Sequence, residues 1–237
     1  MCGRYTQTSA LEELARRFGI TVEDDGPEEL TPRYNTAPSL EVPIVVATDG
    51  RRHLRMARWG FRPAWVTGRA NAPINAKAET LATSRLFQES FRRGRCLVPA
   101  DGFYEWEAVP GLKRKQPYYV KLRDGLFAFA GLWTPGGGAT PASCTIITTP
   151  PNERLAEIHD RMPAILEHAD EDRWLDPRVT DTAHLLSCLR PLPAERMEVY
   201  PVSSLVSSPA NEGPELVEPL DARRQAARTN CRGPLLH

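Results

Sequence analysis

No stretch of this 237-residue chain approaches the roughly 18 uninterrupted apolar residues of a membrane-spanning helix; its richest run, Leu126 to Trp133, is far too short. The amino terminus also lacks the apolar core of a secretory leader, because Arg4 is soon followed by Glu12, Glu13, Arg16 and Arg17. A cytosolic protein without a membrane partner is therefore expected. Cys2, Cys96, Cys144, Cys188 and Cys231 are odd in number and contain no C-x-x-C pair, which argues against a disulfide framework and against a zinc site. Free thiols are expected, and neither a metal nor a cofactor. The triplet Gly136 to Gly138 is not followed by the G-K-S/T of a phosphate cradle. An excess of charge of one sign is missing too: Lys plus Arg and Asp plus Glu both number 30, so contact with nucleic acid would need a local basic surface. Three clusters are available, Arg51, Arg52, Arg55 and Arg58, then Arg92, Arg93 and Arg95, then Lys113 to Lys115, and each reads equally well as an ordinary solvated face.

What is present is enough apolar material, 41% of residues, to build the core of one domain. Ser9 with Glu12 forms a capping-box signature, and Leu11, Leu14, Ala15 and Phe18 repeat at helical spacing up to Gly19. Thr31 to Ser39 reads as an ordered loop. Val42 to Thr48, Asp49-Gly50 and His53 to Trp59 read as a hairpin. A second helix is expected over Ala78 to Arg92, and strands over Cys96 to Pro99 and Phe103 to Glu107. Tyr118 to Leu122, Asp124-Gly125 and Leu126 to Trp133 give a further hairpin. Strands are also expected at Cys144 to Thr149, Met162 to Leu166 and Met197 to Val202, with short helices at Asn152 to Ile158, Asp170 to Leu175 and Thr182 to Leu189. Strands in the middle and helices around them indicate an α+β fold with a curled mixed sheet. Residues 1–220 are taken as the domain and Asp221 to His237, rich in Arg and polar residues, as a flexible tail.

Cys2 carries the most distinctive chemistry. Residues as small as cysteine at position 2 permit removal of Met1, which would expose a 1,2-aminothiol. An α-amino group with a pKa of about 7.7 to 8.0 and a thiol of about 8.5 are both partly nucleophilic at neutral pH. An aldehyde that condenses with the amine is then trapped by the thiol as a five-membered thiazolidine. Taken alone, however, a second-position cysteine reads as incidental, because a reactive thiol needs an identifiable microenvironment.

Six collinear segments supply context: M-C-G-R-Y-T at Met1 to Thr6, P-R-Y-N-T-A-P at Pro32 to Pro38, W-G-F-R-P-A-W at Trp59 to Trp65, N-A-K-A-E-T at Asn75 to Thr80, C-L-V-P-A-D-G-F-Y-E-W at Cys96 to Trp106, and I-H-D-R-M-P at Ile158 to Pro163. Together they closely resemble the SRAP family, the SOS-response-associated peptidases that crosslink to abasic sites. The resemblance spans Met1 to Pro219 and implies a barrel-like mixed or antiparallel β core with peripheral helices. It implies Cys2 as the crosslinking residue, Asn75 as the group that positions its amine, Glu105 as the carboxylate of the F-Y-E-W motif and His159 as the histidine of I-H-D-R-M-P. It further implies single-stranded DNA with abasic sites as substrate, lyase activity on that DNA, and a peptidase-type hydrolysis that removes Met1, all within the DNA-damage response and, when bound, at the nucleoid. A monomer is the expected state.

Residue chemistry fits these roles. An abasic deoxyribose is mostly a closed hemiacetal, so an acid must protonate its ring oxygen, a task that suits a histidine of pKa near 6.5. Glu105 could take a proton from the Cys2 ammonium and return it on dehydration, most effectively if burial raised its pKa. Arg4, Lys77, Arg85 and Arg161 can pair with phosphates, and Trp65 and Trp106 can stack on bases, although Trp106 can equally be a core aromatic. Two departures from the family pattern stand out: Lys77, where arginine is usual and the bidentate phosphate geometry is lost, and Ser203 to Asn211, where the family has an Asn-rich segment. Competing readings are an N-terminal-nucleophile amidohydrolase, since M-C-G also opens glutamine amidotransferases, and a non-covalent single-strand-binding module.

Overall fold

A computed structural model describes residues 2–21, 27–67 and 72–220. Met1 and the proposed tail 221–237, including Cys231, lie outside the described residues. In chain order the strands are Tyr5–Gln7 (β1), Ile20–Thr21 (β2), Arg33–Thr36 (β3), Glu41–Thr48 (β4), Arg51–Trp59 (β5), Asn75–Lys77 (β6), Arg95–Ala100 (β7), Gly102–Glu107 (β8), Gln116–Leu122 (β9), Phe127–Thr134 (β10), Ser143–Thr149 (β11), Met162–Pro163 (β12) and Met197–Pro201 (β13). Helices are Leu11–Phe18 (α1), Gln88–Arg93 (α2), Glu153–Ala156 (α3), Glu171–Leu175 (α4) and Thr182–Leu186 (α5).

The larger sheet runs β12-β11-β10-β7-β4-β5-β2, with β6 added parallel to β11. It curls until β5 meets β11 again through the pairs Ser143↔Arg58 and Cys144↔Trp59, a ring-like sheet joined at that seam over two pairs only. The smaller sheet runs β13-β9-β8-β1-β3. This is the mixed α+β architecture with a barrel-like core that the sequence indicated.

The near-continuous apolar runs of β4, β7 and β10 follow from burial of the curled sheet on both faces. Val45, Leu97, Ala128, Ala130 and Leu132 point to a core shared with α1, α2, α4 and α5. Their neighbours Ile44, Val46, Cys96, Val98, Phe127 and Phe129 point the other way, into an inner core with Tyr5, Trp59 and Phe103. Cys2 belongs to that inner core.

Local signals succeeded for turns and failed for partners. Asp49 and Gly50, at φ 51° and 75°, make the tight turn between β4 and β5, which pair along their length. Gly125, at φ 85°, likewise turns the chain between β9 and β10, but these do not form the expected hairpin. β9 pairs with β8 and β13, while β10 lies between β7 and β11, because a strand apolar on both faces is stable only in the sheet interior. The capping box is also absent: the Ser9 hydroxyl donates to Asp101 Oδ1 at 2.6 Å, and Ala10 occupies the helix N-cap. The helix expected over Ala78 to Arg92 is broken into a 3-10 turn at Ala78–Thr80, further turns, and α2. Thr80 and Thr83 hydroxyls donate to the carbonyls of Lys77 and Thr80 at 3.2 and 3.3 Å, the competition with helical hydrogen bonding typical of such residues. The loop expected at Thr31 to Ser39 contains strand β3.

Arg95, grouped by sequence with a basic surface cluster, is buried. Its guanidinium donates to Phe91 O and Arg92 O at 2.7 and 2.6 Å, and to Trp174 O, Asp176 O and Val179 O at 2.5, 2.5 and 3.1 Å. It thus satisfies carbonyls at the carboxyl ends of both α2 and α4, where a cation also complements the helix dipoles. Arg95→Met is expected to cost about 3 kcal/mol or more, since it strands five acceptors, those of Phe91 and Trp174 in fully buried hydrogen bonds. Chemical denaturation reads this as a lowered midpoint; an unchanged midpoint would show that water replaces the guanidinium freely.

Candidate active site

Two short strands that sequence patterns did not reveal, β1 and β6, place the residues of interest. Tyr5 pairs with Phe103 and Thr6 with Gly102, and the Tyr104 amide donates to Arg4 O at 3.0 Å. Continuing that antiparallel register sets Glu105 across from Gly3, beside Cys2. β6 pairs Asn75 with Ile146 of β11. His159 follows α3, its amide donating to Leu155 O at 2.8 Å, and Leu155 and Ile158 pack into the same inner core as Cys2.

Cys2 is fully buried, its Sγ 4.0 Å from Arg4 O. Burial, reinforced by the nearby Glu105 charge, pushes the thiol far above its ordinary range, so it stays protonated. Glu105 is 2% exposed, and burial raises its carboxyl to about 7, against the opposing pull of the positive amino terminus. It is therefore half-ionised near neutrality. Burial, followed by the positive amino terminus, lowers the His159 pKa, while Asp160 works in the opposite direction. Asn75 Nδ2 donates to Ile146 O at 3.4 Å, and its buried Oδ1 has no partner among the described residues. A buried amide oxygen without a donor costs about 1–3 kcal/mol, and here it offers an acceptor to an incoming N–H.

His159 Nδ1 has two neighbours of opposite character, the Arg161 amide at 3.1 Å and Asp160 Oδ1 at 2.7 Å. The neutral ring accepts from the amide through Nδ1; the protonated ring donates to the carboxylate. Each protonation state has its own partner. Since Asp160 favours the imidazolium, Asp160→Asn is expected to move the His159 titration midpoint to lower pH, read from the imidazole proton shift by NMR. A midpoint that stays in place would remove Asp160 from this role.

The other residues singled out by sequence have separate surroundings. Lys77 and Arg85 are exposed, and Trp65 is 64% exposed. Trp106 is half-buried against Tyr104, its Nε1 donating to Ser207 Oγ at 3.1 Å. Arg4 donates to Asn35 Oδ1 and Val206 O at 2.8 and 2.9 Å, and Asn35 Nδ2 to Ser208 O and Asn211 O at 2.9 and 2.8 Å. The unusual Ser203 to Asn211 segment therefore packs directly on Arg4 and Trp106. Arg161 grips Glu79 in bidentate fashion at 2.7 and 3.0 Å and donates to Thr148 O at 2.6 Å. Sequence reading did not single out Asp160, Glu79, Asn35 or Ser207, although the first three lie inside the quoted motifs. A cavity of about 610 Å³ near the β4–β5 turn and α4 contains none of the site residues, and its Arg52 and Arg178 are held by Asp172 and Asp176. Among the described residues no group of three or more His, Cys, Asp or Glu could hold a metal, and no helix is long and apolar enough to cross a membrane.

A curled β core holds a buried second-position cysteine near Glu105, and the comparisons give the family. The family model for SOS response associated peptidase (SRAP) matches residues 1–209, and the chain belongs to that family. It is 43% identical over 225 residues to the abasic site processing protein YoqW of Bacillus subtilis, covering 92% of this chain and 99% of YoqW. It is 32% identical over 227 residues to the abasic site processing protein YedK of Escherichia coli, covering 93% and 100%. Among solved structures, a protein from Bacteroides thetaiotaomicron superposes with a TM-score of 0.79 at 26% identity, covering 92% of this chain and all of that one. A phage-related protein of Bordetella bronchiseptica gives 0.70 at 33% identity, covering 89% and 99%.

Proposed function

We propose that this protein processes abasic sites in DNA by capturing the sugar aldehyde covalently on Cys2 once Met1 has been removed. The reading rests on Glu105, a buried carboxyl half-ionised at about pH 7 beside Cys2. Such a group can both take a proton from an ammonium and return it to a departing hydroxyl.

In the proposed sequence His159 protonates the ring oxygen of the closed sugar while the anomeric hydroxyl gives its proton to water, which breaks the C1′–O4′ bond and frees the C1′ aldehyde. Because the thiol is held protonated, the amine attacks first, with Glu105 accepting its proton and Asn75 Oδ1 accepting a hydrogen bond from the same nitrogen. Glu105 returns the proton to the carbinolamine hydroxyl, which leaves as water and gives an imine. The thiol sulfur then adds to the imine carbon while its proton passes to nitrogen, closing the thiazolidine. Aldehyde plus aminothiol yields thiazolidine plus one water, and the reverse steps release the DNA. The imine is also the branch point for strand cleavage, by elimination of the 3′ phosphate. Hydrolysis of the Met1-Cys2 bond by the same centre completes the proposal.

The preferred substrate in this reading is single-stranded DNA, with Lys77, Arg85, Trp65 and Trp106 meeting the strand. Arg4 and Arg161 reach phosphate only by sharing their present protein partners. The test is a denaturing gel of the purified protein with a single-stranded oligonucleotide carrying an abasic site. An adduct that survives denaturation is expected; its absence from protein verified to begin at Cys2 would overturn the proposal.

A further inference from the structure

Three basic clusters were indistinguishable in the sequence, and their surroundings now separate them. In the first, Arg52 is tied to Glu171 and Asp172 at 3.2 and 2.7 Å. In the second, Arg95 is buried among five carbonyls and Arg93 lies 3.9 Å from Glu89. Lys113, Arg114 and Lys115 differ: all three are exposed, and none makes an ion pair among the described residues.

Their position is equally distinct. They lie in the tip joining β8 to β9, the hairpin that carries Glu105 and Trp106 and whose last pair is Glu107↔Gln116. Residues 108–115 contain no Asp or Glu, so the tip is purely cationic on a chain of zero net charge. Leu112 is 44% exposed between these charges and the strand, and the loop lines a concavity of about 350 Å³. Tip and Glu105 belong to one hairpin, in which Glu105 pairs with Tyr118, and the Lys115 charge acts on both Glu105 and His159.

We infer that the β8–β9 tip is a docking track for the nucleic-acid strand flanking the captured residue, with Lys113, Arg114 and Lys115 on successive phosphates and Leu112 against a sugar or base face. Exposed cations without an ion pair among the described residues match a polyanion, and release of counterions from the strand would supply the affinity. An exposed leucine among them suits a strand whose bases are unstacked. Chemistry is supplied by the buried groups, and the tip sets how the strand is presented to them.

This inference rests on the DNA reading above, and the experiment separates the two. Binding of an undamaged single-stranded oligonucleotide is measured by anisotropy between ~0.05 and ~0.3 M salt for the wild type, Lys113→Ala/Arg114→Ala, and Arg92→Ala/Arg93→Ala. The first double variant retains Lys115 and with it the charge felt by Glu105 and His159. Each phosphate contact contributes about 0.7 to the slope of log affinity against log salt on a single strand, so this variant is expected to lose about 1.4 of slope and roughly tenfold in affinity at ~0.1 M salt. The Arg92/Arg93 variant, whose residues are just as cationic but lie on α2, is expected to keep the wild-type slope. An unchanged slope in the Lys113/Arg114 variant, or equal losses in both variants, would overturn the assignment. Loss of the wild-type covalent adduct would instead overturn the capture chemistry, whatever the slopes.

Discussion

Cys2→Ala is expected to abolish the adduct that survives denaturation, from a major band to none, while non-covalent binding to the same oligonucleotide is retained. With Met1 removed, alanine still presents an amine that can form an imine, but nothing closes the ring, and water reverses the imine. Borohydride should therefore trap a residual adduct in the variant that vanishes without reductant. The size of the effect follows from alignment: holding both nucleophilic atoms on one residue makes the second step intramolecular, an advantage of about 7 kcal/mol or more. Misfolding is not the expected cause, since removing one buried sulfur from the inner core costs on the order of 1 kcal/mol. An undiminished stable adduct in Cys2→Ala would move the chemistry to another nucleophile.

Glu105→Gln is expected to slow adduct formation by about a hundredfold, the usual contribution of a positioned acid-base group, and to erase the pH dependence centred near 7. Stability should move the opposite way. Burial holds the folded carboxyl at about 7, above its ordinary value of 4.5, so the folded state binds its proton more tightly than the unfolded chain. Ionisation of Glu105 therefore destabilises the fold, by an amount that grows as pH rises from about 4.5 to about 7 and then levels off. A neutral glutamine escapes this cost, and Glu105→Gln should be the more stable protein at pH 8, by on the order of 3 kcal/mol, with the difference gone at pH 4. Thermal melts at the two pH values read the sign. Equal melting at both, with the rate loss intact, would mean that Glu105 is not desolvated in solution. A gain in stability paired with a loss of rate is the mark of a group buried for chemistry.

Much of this was legible along the chain. The apolar run of β4 and the strand that follows Asp49-Gly50 named a hairpin, and Gly19, at φ 61°, ended α1 where the helical spacing stopped. The four proposed catalytic residues could be named because they sit in motifs. β1 and β6 were not legible: with three residues each, they show no period and exist only through their partners β8, β3 and β11. The turn at Gly125 was read correctly and its strands misassigned, because a turn sets chain direction and burial sets neighbours. Three arginines spaced like a surface cluster at Arg92, Arg93 and Arg95 divide between solvent and the carboxyl ends of two helices.

From sequence alone came the family resemblance, the α+β class, the rarity of a cysteine at position 2, and the types of acid and base available, all properties of residue identity and order. Folding settled the state of those groups. Glu105 is a strand carboxylate until the sheets remove it from water and lift it to about 7, and the Cys2 thiol is an ordinary nucleophile until the inner core holds it protonated. Arg95 and Lys113 carry the same charge, yet one is spent on helix ends and the other is exposed at the β8–β9 tip. A charge's identity is local, but its desolvation and its partners depend on residues far along the chain, so only the assembled fold could determine them.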